Sequence, residues 1–186
     1  MKTLLLALFA AAVSPALVSF QDPQDAPQQQ DPTKPLPQHL LLHSHVGTWD
    51  CEITAHMPDG KAEKSKGTMV TRKVGELHTV DDFSGTTMGM AFTGHGSNSY
   101  CPLRKKYFAT WLDSWTPGPL LLVGNYDEKT KELTLRGEGV GMSGKLEPVK
   151  TVTRWQDDDH YWFGYYGMGE DGKDHLHMEI AYTRRK

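Results

Sequence analysis

Asp113, in the stretch ATWLDSW, is where the chain most plainly invites chemistry. Tyr107, Ala109, Trp111 and Asp113 share one face of an alternating segment, so a core-facing Trp111 carries a carboxylate to the interior or its rim. An ionised carboxylate there needs a partner. Arg154, Arg136 or a tyrosine hydroxyl could supply one, in a structural ion pair or turn cap. An interior Asp–Arg pair could instead orient a polar head group or, with a raised pKa, provide a general acid. No nucleophile stands beside Asp113, and the G-x-S-x-G elbow is missing. Gly139–Lys145 fits only the opening of a phosphate loop, because Leu146 stands where Ser or Thr would hold magnesium and Pro148 precludes the helix. No catalytic residue is assigned.

Softer chemistry is hinted at by nine histidines and eight methionines. His39 and His43 are spaced four apart on a predicted helix, and His175 and His177 share a strand face. With methionines this could suit a soft metal such as Cu(I), and a strand histidine turned inward could reach a haem iron. However, no Cys/His zinc spacing is present, and burial favours Leu176, Met178, Ile180 and Tyr182 inside, leaving both strand histidines in solvent. No metal and no cofactor are assigned. Cys51 and Cys101 are either a disulfide, which export would permit, or free thiols.

The elements that must position these residues are mostly strands. In TWDCEITA, Trp49, Cys51, Ile53 and Ala55 alternate with polar residues, and Pro58-Asp59-Gly60 then turns the chain. Similar segments follow, separated by Gly75-Glu76, CPLRK, TPGP, Asp127–Lys131, Asp157–Asp159 and GEDGK. The pattern predicts an all-β domain of about ten antiparallel strands. Ahead of it, LPQHLLLHSHVG predicts a short helix with Pro37 near its start and Leu36, Leu40 and Leu41 on one side. A closed barrel removes exposed strand edges, and a two-sheet sandwich is the competing architecture.

In SGTTMGMAFTGHG, Met88 and Gly89 are expected at a hairpin tip. Met90, Phe92, Gly94 and Gly96 then share one face, where the glycines leave space for a large neighbour such as Trp49 or for a ligand. A meander places the turns after strands three, seven and nine at one end. Met88 and Met90 would therefore gather with Met142 and Met168 around one opening, as adaptable apolar groups or as a plug.

The N-terminus suggests export. An apolar run from Leu4 to Val13 follows Lys2 and is too short to span a membrane. Cleavage is expected after Ala16 or nearer Ser19. Residues 21–37 read as a disordered Pro/Gln-rich spacer, and 38–186 as one domain. With 20 basic and 23 acidic residues, net −3, the chain lacks the electrostatic footprint of a nucleic-acid binder.

Gly47-Thr48-Trp49 resembles the glycine–x–tryptophan opening of lipocalin-like and nitrobindin-like barrels. VGTWD, GTTMGMAFTGHG, KKYFATWLDS, GNYDEKTKELTLRGE, TRWQDDDHYWFGYY and MEIAYTR, in that order, resemble the bacterial family DUF1579. The resemblance implies a lipocalin-like barrel of unassigned activity, so it brings no catalytic residues. Cys101 departs from the family, which more often has Asp after the tyrosine.

The expectation is a secreted or periplasmic protein that binds a small, mostly apolar ligand, with no nucleic-acid partner, no membrane span and no assigned oligomer. The candidate binding residues are Trp49, Met88, Met90, Phe92, Trp111, Asp113, Arg154 and Trp155. The alternatives are an enzyme using an interior Asp/Arg pair, a haem or soft-metal protein, and a filled barrel acting through its outer surface.

Overall fold

The computed structural model describes Asp31 and residues 34–141, 144–169 and 171–186. The expected signal peptide, most of the spacer and Met142 lie outside the described residues. The compact unit that carries the fold runs from Pro32 to Lys186.

One helix, α1 (Pro37–His43), precedes ten strands: β1 (Gly47–His56), β2 (Ala62–Val74), β3 (His78–Thr87), β4 (Met90–Cys101), β5 (Lys106–Asp113), β6 (Leu120–Asp127), β7 (Glu132–Val140), β8 (Leu146–Trp155), β9 (His160–Met168) and β10 (Asp174–Arg184). Sequential strands pair antiparallel, and β1 pairs with β10 from Trp49↔Arg184 to Ala55↔Met178. That last ladder closes the sheet into a barrel and excludes the sandwich. No edge is left to pair with another chain.

Period-two alternation sets the faces. Trp49, Cys51 and Ile53 of β1 and Ile180 and Tyr182 of β10 are buried, while Asp50, Glu52, Ala181 and Thr183 are exposed. A register shift between Leu176 and Met178 marks a bulge at His177. The turns explain the hairpins. Met88 and Gly89 both have positive φ, 52° and 72°, as a two-residue hairpin of matching twist requires. Asp59, Asp127, Asp157 and Asp171 each accept a backbone N–H two residues on, which fixes four other turns.

A meander has two unlike ends. The turns after odd-numbered strands form the hairpin end, and those after even-numbered strands share the other end with α1. The helix packs by Leu42, 2% exposed, and by His39, whose Nε2 lies 3.3 Å from the Tyr100 carbonyl oxygen. The expected apolar side is therefore rotated, since Leu40 is 55% exposed. Tyr100 at the end of β4 draws the His39 side of the helix down onto the barrel.

Arg184 ties this end together. Its guanidinium lies 4.0 Å from the Trp49 ring centroid and donates to the carbonyls of Ser44, Val46 and Asp158. Trp49 Nε1 donates to the His45 carbonyl at 2.7 Å. A Cβ at Gly47, where φ is 141°, would sit 2.6 Å from Arg184 Nη1, so glycine there makes room for the arginine. This is the physical content of the Gly-Thr-Trp sequence.

The candidate binding site inside the barrel

Buried apolar side chains form two clusters rather than one. The first holds Trp49, Cys51, Ile53, Met69, Phe83, Tyr161, Ile180 and Tyr182, with Phe92, Trp111, Phe163 and Met178 packed against it. The second holds Leu42, Tyr107, Leu122, Leu133, Leu135 and Val149. Inward positions are buried near the helix and become half-exposed toward the hairpins. Tyr107 gives way to Ala109, Trp111 and Asp113 along β5, and Tyr182 and Ile180 to Met178 along β10. Phe163 and Tyr165 follow the buried Tyr161 along β9 in the same way. The helix closes one end of the tube, and the hairpin end is the accessible one.

The sequence-predicted residues divide between these ends. Phe92 and Trp111 lie on the accessible half. The Phe92 ring is 5.8 Å from that of Phe83 and 5.2 Å from that of Trp115. Trp111 fills the space left by Gly94, and Phe83 the space left by Gly67 and Gly85. Trp111, rather than Trp49, is thus the large neighbour those glycines admit on β4. Met88 and Met90 stand at the same end, 43% and 56% exposed, as does Met168 at 44%. Trp49 and Trp155, by contrast, belong to the helix end. Trp49 is sealed at 1% exposure, and Trp155 donates to Ser44 Oγ at 2.8 Å and stacks on His45 at 4.6 Å.

No Asp113–arginine pair forms. Asp113 accepts the Trp111 indole N–H at 3.2 Å and the backbone N–H groups of Trp115 and Thr116 at 2.8 and 2.7 Å, capping the β5–β6 turn. Arg154 sits between the inward Thr153 and Trp155, so alternation turns it to the outer wall. There it pairs with Glu132 and lies 5.2 Å from the Trp162 ring centroid. Arg136, also outside, pairs with Asp174. The enzyme alternative loses the pair it depended on.

The histidines are otherwise engaged. His39 Nδ1 takes a hydrogen bond from the Leu36 N–H, which removes it from a metal-binding pair with His43. His175 and His177 are both exposed, His175 bonded to Asp171 and the His177 ring lying over Gly167. Cys51 and Cys101 are free, and burial, the main cause, pushes the Cys51 thiol up to about 12.

A polar group inside the first cluster was not anticipated. Asp81 accepts a hydrogen bond from Thr71 Oγ1 at 2.6 Å and another from Asn98 Nδ2 at 2.7 Å, beside the fully buried Thr79. Burial holds its carboxyl above the usual range against these hydrogen bonds. Tyr161 and Tyr182 stack at 4.1 Å, and Asp81 contributes to the upward shift of both phenols, which burial dominates. Among the described residues neither hydroxyl meets a hydrogen-bond partner. His45 is buried against Tyr161 with Nε2 unpartnered, and burial depresses its pKa to about 4. One signal was present in the sequence: Asp81 is in phase with Thr79 and Phe83, so a charge falls on the buried face.

A closed ten-stranded antiparallel barrel with one plugged end and one accessible aromatic end defines the class of protein. The chain belongs to the family described as "Protein of unknown function (DUF1579)", which matches residues 34–184. No curated protein matches the chain significantly. Among solved structures, Rv2717c from M. tuberculosis is similar at 14% identity and TM-score 0.62, over 82% of this chain and 100% of that one. The S-type phycobiliprotein lyase CPES from Guillardia theta is similar at 11% identity and TM-score 0.53, over 83% of this chain and 95% of that one. At these identities the likeness is one of fold.

Proposed function

We propose that the protein is exported and holds a small, mostly apolar molecule in the hairpin half of its barrel. The observation that carries this reading is the gradient along the inward faces, sealed at the helix end and half-exposed where Phe92, Trp111, Phe163, Tyr165 and Met178 line the wall. Half-exposed aromatic and methionine side chains at this end provide apolar contact without a strict shape requirement. The fold shared with a phycobiliprotein lyase is consistent with a barrel that accommodates a small molecule. Export is supported by the short apolar run after Lys2 and the small residues near Ala16.

Native mass spectrometry of protein purified from its own host tests the reading. A mature chain beginning after Ala16 and carrying a reproducible added mass is expected. The bare chain mass in every preparation would count against a carrier, and an uncleaved N-terminus would count against export. Replacing Trp111 by Ala is expected to weaken retention about tenfold or more, as the loss of a large aromatic contact implies.

A further inference from the structure

We propose that Asp81 is the head-group subsite for an alkylammonium, so that the bound molecule is an amphiphile with its protonated amine at Asp81 and its apolar chain running past Trp111 and Phe92 toward the hairpin rim. This rests on the carrier reading above and names the ligand's chemical class.

The first ground is the uncompensated charge. Thr71 and Asn98 are neutral donors, and Asp81 makes no ion pair among the described residues. Of the basic groups on adjoining strands, Arg72 and His95 face outward and are bonded to Asp82, Lys64 and Lys66 also face outward, and Lys73 is paired with Glu76. A half-buried carboxylate held by neutral donors gains most from a ligand that brings a positive charge and N–H donors together.

The surroundings fit an ammonium in particular. Phe83 follows Asp81 on the same inward face, Trp111 lies against Gly96, and the same Gly96 position is 3.5 Å from Asp81 Oδ2. With the stacked Tyr161 and Tyr182 these rings offer π faces beside a carboxylate, a setting that attracts alkylammonium groups. The two phenol oxygens, without a partner among the described residues and within reach of the Asp81 charge, can accept the remaining N–H groups.

The route has the same sign. Asp113 and Glu147 stand at the rim, and both charges act on Tyr165. Among the described residues no lysine or arginine occupies an inward strand position between Asp81 and the hairpin rim. His45, held neutral by burial, adds no opposing charge. A carboxylate-headed amphiphile would meet three acids in succession, whereas an ammonium is drawn past them.

Decylamine, decanol and decanoate, competing at neutral pH with the fluorophore N-phenylnaphthylamine for the purified protein, test the assignment. Decylammonium should displace the fluorophore at a concentration about tenfold lower than decanol, as a charge-assisted hydrogen bond implies. Decanoate should be the weakest. Asp81→Asn should bring decylammonium to the level of decanol, and Asn98→Asp should widen the preference. Equal displacement by decylammonium and decanol, or a preference that survives Asp81→Asn, overturns the head-group assignment and leaves the carrier reading standing. Failure of the fluorophore and of all three amphiphiles to bind removes both. Should Asp81→Asn not fold, the wild-type ranking and Asn98→Asp decide.

Discussion

Asp81 illustrates how one inward side chain can oppose stability. Its carboxyl is held above the usual range because burial disfavours the charged form more than Thr71 and Asn98 favour it. The folded chain therefore binds its proton more tightly than the unfolded chain. Stability contributed by this group is present below the unfolded carboxylate pKa and declines as pH rises through the folded one. Asp81→Asn, which cannot ionise, should flatten that decline. Urea midpoints measured from acidic to neutral pH are expected to show the variant gaining on the wild type as pH rises; a variant that loses ground would mean that Thr71 and Asn98 compensate the charge fully. Cys51 is the contrasting case. A buried thiol pushed up to about 12 offers little thiolate at neutral pH. In the folded protein Ellman's reagent should react at Cys101 long before Cys51, and comparable rates would mean that the barrel opens readily. Legibility differed among these residues. Alternation placed Phe92 and Trp111 correctly, but it could not show that Asp113 turns back to cap its own loop or that Thr71 and Asn98 meet at Asp81, contacts made between strands or through a turn.

At the scale of elements, the strands were legible because each keeps period two and most are bounded by turn residues of known chemistry, such as Pro58-Asp59-Gly60 and Met88-Gly89. The helix was legible in position but not in rotation, because the contact that orients it, His39 to the Tyr100 carbonyl, joins residues sixty-one apart in sequence. Its junction with β1 makes two predictions. Gly47→Ala places a Cβ against Arg184 at a φ that side chains rarely adopt, and should cost about 2 kcal/mol or more in urea unfolding. Loss of the Arg184–Trp49 stack should appear as a change in tryptophan emission, and an unchanged midpoint would show that the arginine can move aside freely. The second concerns His45, buried between Trp155 and Tyr161 with a pKa of about 4. Its folded value lies below the unfolded one near 6.5, so its contribution is complete above pH 6.5 and is lost as pH falls toward 4. The loss amounts to about 3 kcal/mol, and His45→Phe, which keeps the stack without a titrating nitrogen, should remove this part of the acid sensitivity. An equally steep acid profile in the variant would place the sensitivity elsewhere.

For the whole molecule, closure and plugging give the two ends different mechanical characters. The sheet has no free edge because β1 pairs with β10, and the helix end adds bonds that join α1 and the loop after it to the strands, through Arg184, Trp49, Trp155 and His39. The meander allowed the sequence to say which turns share an end. Which end is filled depends on where the helix settles and on which aromatics occupy the glycine spaces, and neither follows from alternation. The consequence is a gradient of local stability, since segments with fewer buried contacts open at lower free energy. Amide hydrogen exchange followed by mass spectrometry should find the slowest exchange in the helix-end halves of β1, β8, β9 and β10. Faster exchange is expected in the β3–β4 and β9–β10 hairpins. Adding decylamine should slow the hairpin halves of β3, β4 and β5, which carry Phe83, Phe92 and Trp111, and leave the helix end unchanged, because the ligand joins strands that the plug does not reach. Protection appearing first around α1 and Trp155 would move the binding site to the other end of the tube.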